Sequence, residues 1–409
     1  MTRKDNELKR RAFLRKSLTG LAAVGAVPGA VKAAALGSSR PDQAGGDKAA
    51  AKPIVRTLGK TGLKIPIVSM GVMNADNPAV VQAALDSGIF MLDTANGYQR
   101  GRNEEMIGQV IKGRPRDSYL IATKVPARDR GAQVLDGEAL QKAFLDKFDI
   151  SLQRLGLDHV DILYLHNNTT PEAVQIPPIM EAIQKAKKAG KARFIGITTH
   201  GNEPAVIRAT IEAGIYDVIL TAYNFRQDYR DDLRKAVAEA TAAGIGIVAM
   251  KTQAGAFWDK ERQQPINMRA ALKWVLNDPN VTTAIPGFTT FDQLKEDLTV
   301  MTDIKLTPAE LRDLRLGEQV AGLYCQQCGQ CVPGCPKALP IPSLMRSYMY
   351  AYGYRNLQAA HELVGSLGLA GDPCGSCDSC SAVCVRGIDI ADRVRDISRL
   401  RTVPGDFFA

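Results

Sequence analysis

Leu120-Ile121-Ala122-Thr123-Lys124 and Asp161-Ile162-Leu163-Tyr164-Leu165-His166 are two short apolar runs, each closed by one ionisable side chain. Runs this short read as strands buried on both faces, the kind that parallel sheets use. Working outward, the same pattern recurs at Val68–Met73, Phe90–Asp93, Phe194–Thr198, Val218–Ala222, Ile247–Lys251 and Thr283–Pro286. Amphipathic stretches at 79–87, 103–112, 138–155, 173–188, 203–213 and 230–243 lie between them. This alternation over residues 54–318 predicts an α/β fold, a (β/α)8 TIM barrel. Period alone also fits an open doubly wound sheet, but no G-x-G-x-x-G follows the first strand. A strand pair at Arg56–Leu58 and Leu63–Ile65, around Gly59-Lys60-Thr61-Gly62, is expected to plug the barrel floor.

In such a barrel the carboxyl ends of the strands face the active site. Asp93, Lys124 and His166 each end an apolar run there, and Tyr98 lies in the loop after Asp93. Together they make a proton-donating device. A free tyrosine titrates near ~10, too high to give a proton readily at neutral pH. A neighbouring ammonium favours the phenolate and lowers that pKa. Asp93 would hold Lys124 charged and in place, and His166 would orient a carbonyl oxygen or relay a proton. Taken singly, a lysine after a strand is usually solvated and a histidine usually structural. The four at successive strand ends carry the catalytic reading.

Asp93-Thr94-Ala95-x-x-Tyr98, Ala122-Thr123-Lys124 and Asp161 to His166 resemble the aldo-keto reductase family. So do Arg56-x-Leu58-Gly59-x-Thr61-Gly62-Leu63 and Ile285-Pro286-Gly287. The resemblance covers residues 54–318. It implies Tyr98 as general acid, with Lys124, Asp93 and His166 in support. It also implies a nicotinamide cofactor, NAD(P)H, delivering hydride to a small carbonyl or taking it from an alcohol. On the cofactor side, Thr198, Tyr223, Thr289 and Gln293 are the candidate contacts. Here the chain departs from the family's pattern: Thr199, Leu220 and Thr289 stand where carboxamide or basic groups are usual.

The chain has eight cysteines, all in two groups. Cys325, Cys328, Cys331 and Cys335 have x2-x2-x3 spacing, closed by Pro336; Cys374, Cys377, Cys380 and Cys384 repeat it, with Val385 in place of the proline. This is the spacing of the bacterial ferredoxin run, and it predicts two [4Fe-4S] clusters. Disulfides and zinc sites are the competing readings, but disulfide frameworks do not repeat one x2-x2-x3 spacing twice, and zinc motifs rarely carry a third cysteine at x2. Resemblance to two-cluster ferredoxins implies that Cys384 joins Cys325, Cys328 and Cys331, and that Cys335 joins Cys374, Cys377 and Cys380. Residues 336–373 separate the groups and contain expected helices at Ile341–Ala351 and Asn356–Ser366. Residues 319–409 are therefore expected to form a small, mainly helical, ferredoxin-like domain.

The formal charge is +9, and six of those charges fall in residues 1–35. No basic stripe with interleaved aromatics remains elsewhere, so nucleic acid is not an expected partner. Arg10-Arg11-Ala12-Phe13-Leu14 precedes an apolar stretch, Leu18 to Val31, and small residues at Ala33-Ala34-Ala35. The apolar stretch is short for a permanent membrane span, and the pattern reads as a secretory signal. The paired arginines resemble the twin-arginine type, which exports folded proteins, and residues 36–53 read as a linker. The expectation is an exported, periplasmic oxidoreductase that passes electrons through its clusters to a redox partner protein. The alternative is an electron-transfer or assembly protein whose barrel serves as a docking scaffold.

Overall fold

The computed structural model describes residues 52–128 and 135–408. The expected signal peptide, residues 1–35, and most of the linker lie outside the described residues. A hairpin of β1 (Val55–Thr57) and β2 (Lys64–Pro66) comes first. Eight parallel strands follow: β3 (Met70–Gly71), β4 (Met91–Asp93), β5 (Leu120–Pro126), β6 (Val160–Asn168), β7 (Ala192–Thr199), β8 (Val218–Ala222), β9 (Gly246–Met250) and β10 (Thr283–Ala284). They pair in chain order. The circuit closes where Ser69 N–H donates to Ala284 O at 2.8 Å and Gly71 N–H to Pro286 O at 3.0 Å. Each expected strand is present within a few residues.

Side chains alternate across a strand, so one parity faces the barrel interior. Met91, Leu120, Ala122, Ile162, Tyr164, Val218, Leu220 and Val248 form that interior, and Leu58 and Ile65 of the hairpin region close its floor. The opposite parity, including Ile121, Val125, Leu163, Leu165 and Ile219, packs against the surrounding helices. A Cβ on Gly246 would lie 2.6 Å from the Leu58 side chain, so the plug fits only because that position is glycine.

The carboxyl-terminal tail is mainly helical, with α-helices at Ile341–Tyr348, Leu357–Gly365 and Ile390–Ser398. The first continues into a π-helical turn, Met349–Gly353, so the helix expected to reach Ala351 changes type before it ends. Leu344, Tyr348, Val364, Val394 and Ile397 make a core of its own. Tail and barrel nevertheless pack as one compact unit. Tyr324 and Met349 of the tail are buried with Ala254, Trp258, Ile266 and Ala270 of the loop and helix after β9.

Arginines fix the joint between them. Arg226, after β8, donates to Val320 O at 2.8 Å and Ala321 O at 2.6 Å, and also to Gly317 O. Its guanidinium lies 5.1 Å from the Trp258 ring centroid. Burial and the nearby Arg386 pull Arg226 down to about 10, which still leaves it charged at neutral pH. Arg386 donates to Gly317 O at 2.8 Å and Arg393 to Gly322 O at 2.7 Å. No helix among the described residues is long and apolar enough to cross a membrane.

Gly353 of the tail lies tightly against the Gly255 backbone of the barrel loop. A Cβ on Gly353 would lie 2.5 Å from Gly255 O. Overpacking of this kind costs about 1–3 kcal/mol. Gly353→Ala is therefore expected to lower the Tm and to speed proteolytic cleavage of the tail relative to the barrel, both measurable on the full chain.

Candidate functional site

Parity places the site. Asp93 shares a face with Met91, Lys124 with Leu120 and Ala122, and His166 with Ile162 and Tyr164, so all three enter the barrel mouth. Lys124 is 1% exposed and is held by three acceptors. Its ammonium donates to Asp93 Oδ1, to Thr94 O at 2.6 Å and to the Tyr98 hydroxyl oxygen at 3.3 Å. The Tyr98 and His166 rings meet edge to face, with centroids 6.1 Å apart. The structure thus brings all four expected residues together.

The loop that carries Tyr98 is tightly held. Gln99, Arg100 and Gly101 have φ of 52°, 57° and 95°, in the left-handed region. Gln99 pays for part of this strain by donating to Met73 O at 3.2 Å and Ala75 O at 3.1 Å. Arg154 donates to Asn96 O at 2.9 Å and pairs with buried Glu104 at 3.3 Å. A Cβ on Gly101 would strike the Arg154 guanidinium at 2.2 Å, so glycine there lets the arginine support the loop.

The electrostatics correct one expectation. Burial raises the Tyr98 pKa, Lys124 draws it down, and Asp93 and Tyr350 push it up again. The net direction is upward, so resting Tyr98 is a neutral phenol. For Lys124, burial works against the charge, but Asp93 and Tyr98 hold its pKa above the ordinary lysine value. For Asp93, burial pushes upward against Lys124. The two directions compete, and the close Lys124–Asp93 contact favours the charged pair.

The residues expected to hold a nucleotide each have partners within the chain. Thr198 faces the mouth, but its hydroxyl accepts the Asn167 N–H at 2.7 Å. Tyr223 is one residue past inward-facing Ala222 and so points outward. Its ring packs edge to face on Trp274, 5.6 Å away, and its hydroxyl donates to Asp278 Oδ2 at 2.8 Å. Thr289 and Gln293 bond each other, Thr289 N–H to Gln293 Oε1 at 2.9 Å. Leu220 lies in the barrel core, and the Thr199 hydroxyl donates to Gly201 O at 3.2 Å. These groups are satisfied within the chain.

The mouth also contains what sequence reasoning missed. Tyr350, from the π-helical turn, lies near enough to Tyr98 to influence it, and the Lys251 ammonium sits 5.6 Å from the Tyr350 ring centroid. No local pattern could have shown that a residue so far along the chain roofs the site.

None of the eight cysteines is paired in a disulfide. Cys328, Cys331 and Cys384 neighbour Cys325, and Cys335, Cys374, Cys377 and Cys380 line one cavity. They do not form ligand cages: among the described residues, no three or more His, Cys, Asp or Glu side chains make a group that could hold a metal ion. Burial pushes the Cys325 thiol up to about 12. The expectation of two [4Fe-4S] clusters on Cys325, Cys328, Cys331, Cys335, Cys374, Cys377, Cys380 and Cys384 is corrected accordingly. With it falls the expected electron transfer through the tail, whether in an enzyme or in a scaffold protein.

Comparison with known proteins agrees with the barrel. Residues 68–270 match the model of the aldo/keto reductase family, and residues 324–388 match, by sequence, a model described as a 4Fe-4S dicluster domain. L-galactose dehydrogenase of Arabidopsis thaliana is 28% identical over 289 residues, which is 61% of this chain and 89% of that protein. L-glyceraldehyde 3-phosphate reductase of Escherichia coli O157:H7 is 24% identical, over 63% of this chain and 90% of that protein. An aldo-keto reductase structure from Bacillus halodurans superposes with a TM-score of 0.52 at 22% identity, covering 65% of this chain and 96% of that one. With Asp93, Tyr98, Lys124 and His166 gathered at the mouth of such a barrel, the chain is an aldo/keto reductase-type oxidoreductase.

Proposed function

We propose that this chain interconverts a small carbonyl compound and its alcohol, with Tyr98 moving the proton at the substrate oxygen. The contact that carries the reading is the buried Lys124 ammonium, shared between Asp93 and the Tyr98 hydroxyl. In the reducing direction, a substrate carbonyl oxygen lies against the Tyr98 hydroxyl and the His166 ring. As hydride from a donor reaches the carbon, negative charge builds on that oxygen, and Tyr98 gives up its proton there. The raised Tyr98 pKa keeps the proton in place until that moment. Lys124, 3.3 Å away, then stabilises the phenolate left behind. Oxidation of the alcohol runs the same path backwards. The names of the relatives, a dehydrogenase and a reductase, support both directions.

Tyr98→Phe keeps the ring and removes the proton. General acid catalysis contributes roughly 10²- to 10⁴-fold. Small aldehydes and alcohols, assayed with each nicotinamide dinucleotide supplied in solution, should be turned over by the unaltered chain and slower by that factor in the variant. Equal rates would refute the role given to Tyr98.

Lys124→Met tests the partner. Removing a cation that draws the Tyr98 pKa down should move it further up. The tyrosinate absorbance assigned to Tyr98, by difference from Tyr98→Phe, should appear at higher pH in Lys124→Met. A shift to lower pH would contradict the assignment.

We further propose that the protein works outside the cytoplasm, exported by the twin-arginine machinery. The support is Arg10-Arg11 ahead of the apolar stretch Leu18 to Val31. Cell fractionation should find the full chain in the periplasm, and the double change Arg10→Lys, Arg11→Lys should retain it in the cytoplasm. Cytoplasmic location of the unaltered chain would end this proposal.

A further inference from the structure

Where the tail meets the loop after β8, one hydroxyl hydrogen faces two acceptors. The Tyr229 hydroxyl lies 2.7 Å from Glu203 Oε2 and 2.9 Å from the main-chain oxygen of Gln326. Glu203 opens the helix Glu203–Ala213 and is 0% exposed, whereas Gln326 belongs to the tail. The Gln326 side chain is held as well. Its Oε1 accepts the Asp228 N–H at 3.0 Å, and its Nε2 donates to Asp228 Oδ2 at 3.1 Å. A main-chain carbonyl can only accept, and so can an ionised carboxylate. With Glu203 ionised, the single phenol hydrogen is therefore claimed by two oxygens. With a proton on Glu203 Oε2, both short contacts have a hydrogen: Glu203 donates to Tyr229, and Tyr229 donates to Gln326 O.

The other carboxyl oxygen agrees with this assignment. The Gln227 amide is oriented by accepting the Asn224 N–H at 2.9 Å and donating to Ala222 O at 3.2 Å. Its Nε2 also donates to Glu203 Oε1 at 3.2 Å, so that oxygen accepts. The proton of the neutral acid is left to Oε2, beside Tyr229. Lys251 after β9 and Arg346 of the tail helix face Glu203 and favour its ionisation, and Tyr324 of the tail faces it too. Burial outweighs these cations and the hydrogen bonds from Tyr229 and the main chain, and raises the carboxyl to about 7. A solvated glutamate titrates near ~4.3. The docked tail therefore keeps a proton on Glu203 that a released tail would let go. This contribution to docking is full below the solvated value and is lost as the pH rises through about 7.

We propose that Glu203, Tyr229 and the Gln326 carbonyl form a proton-operated latch between barrel and tail, closed when Glu203 is neutral and loosened when it is ionised. On ionisation the Glu203 proton passes to solvent, the Tyr229 hydrogen turns to the carboxylate, and Gln326 O loses that donor. The latch does not depend on the catalytic role of Tyr98, and its test needs no turnover. Native-state hydrogen exchange of the full chain reads the opening of residues 324–330, once the intrinsic pH dependence of exchange is removed. Between about pH 5.5 and 8.5 the opening constant should rise by about tenfold or more, while strands β5 and β6 stay protected. Glu203→Gln, whose amide can donate to Tyr229 as the neutral acid does, should abolish that rise. Tyr229→Phe, which removes the bridging hydroxyl, should open the segment even at the lower pH. Infrared spectra of the unaltered chain, carbon-13 labelled at its glutamate carboxyls, decide the matter should either variant fail to fold. A neutral glutamic acid band should be present at the lower pH and fade through about 7. The proposal is overturned by opening that ignores pH, by an undiminished rise in Glu203→Gln, by full protection in Tyr229→Phe, or by absence of that band.

Discussion

A buried ammonium group is the constraint around which this barrel is arranged. Removing such a charge from water costs several kcal/mol unless its partners restore what the water supplied. Lys124 meets that cost with three acceptors: a carboxylate from β4, a carbonyl of the next loop and a phenol beyond it. Each acceptor must be delivered to a fixed place. The loop 94–101 therefore takes up strained conformations, and Gln99, Arg154 and Glu104 hold it there. The chemistry at Tyr98 inherits its geometry from the needs of the lysine.

The barrel was legible because parity and period are local. Leu120 to Lys124 and Ile162 to His166 already state which side chains face inward, and the folded strands keep that parity. The same rule bears on Tyr223. Val218, Leu220 and Ala222 point inward, so their odd neighbour must point out, where it meets Trp274 and Asp278. That signal was present in the sequence, and the family pattern masked it. The direction of the Tyr98 pKa was not legible, because it depends on burial by residues distant in the chain.

The tail shows the other limit. Spacing identified two sets of cysteines, and the thiols of each set are neighbours, yet spacing does not fix how sulfur atoms point. No motif announced that the tail would reach the barrel mouth. Tyr350 beside Tyr98, Arg346 beside His200 and Gly353 against Gly255 are long-range contacts, each set by packing between segments that share no local pattern.

The joint at residues 317–322 has an evolutionary consequence. Arg226, Arg386 and Arg393 grasp main-chain carbonyls there and not side chains. Every residue type offers the same carbonyl, so the connecting segment can diverge freely where glycine is not required for space. Inheritance of the coupling through this segment then rests with the arginines. Descendants of this architecture can vary the connecting segment while the arrangement of the two parts persists.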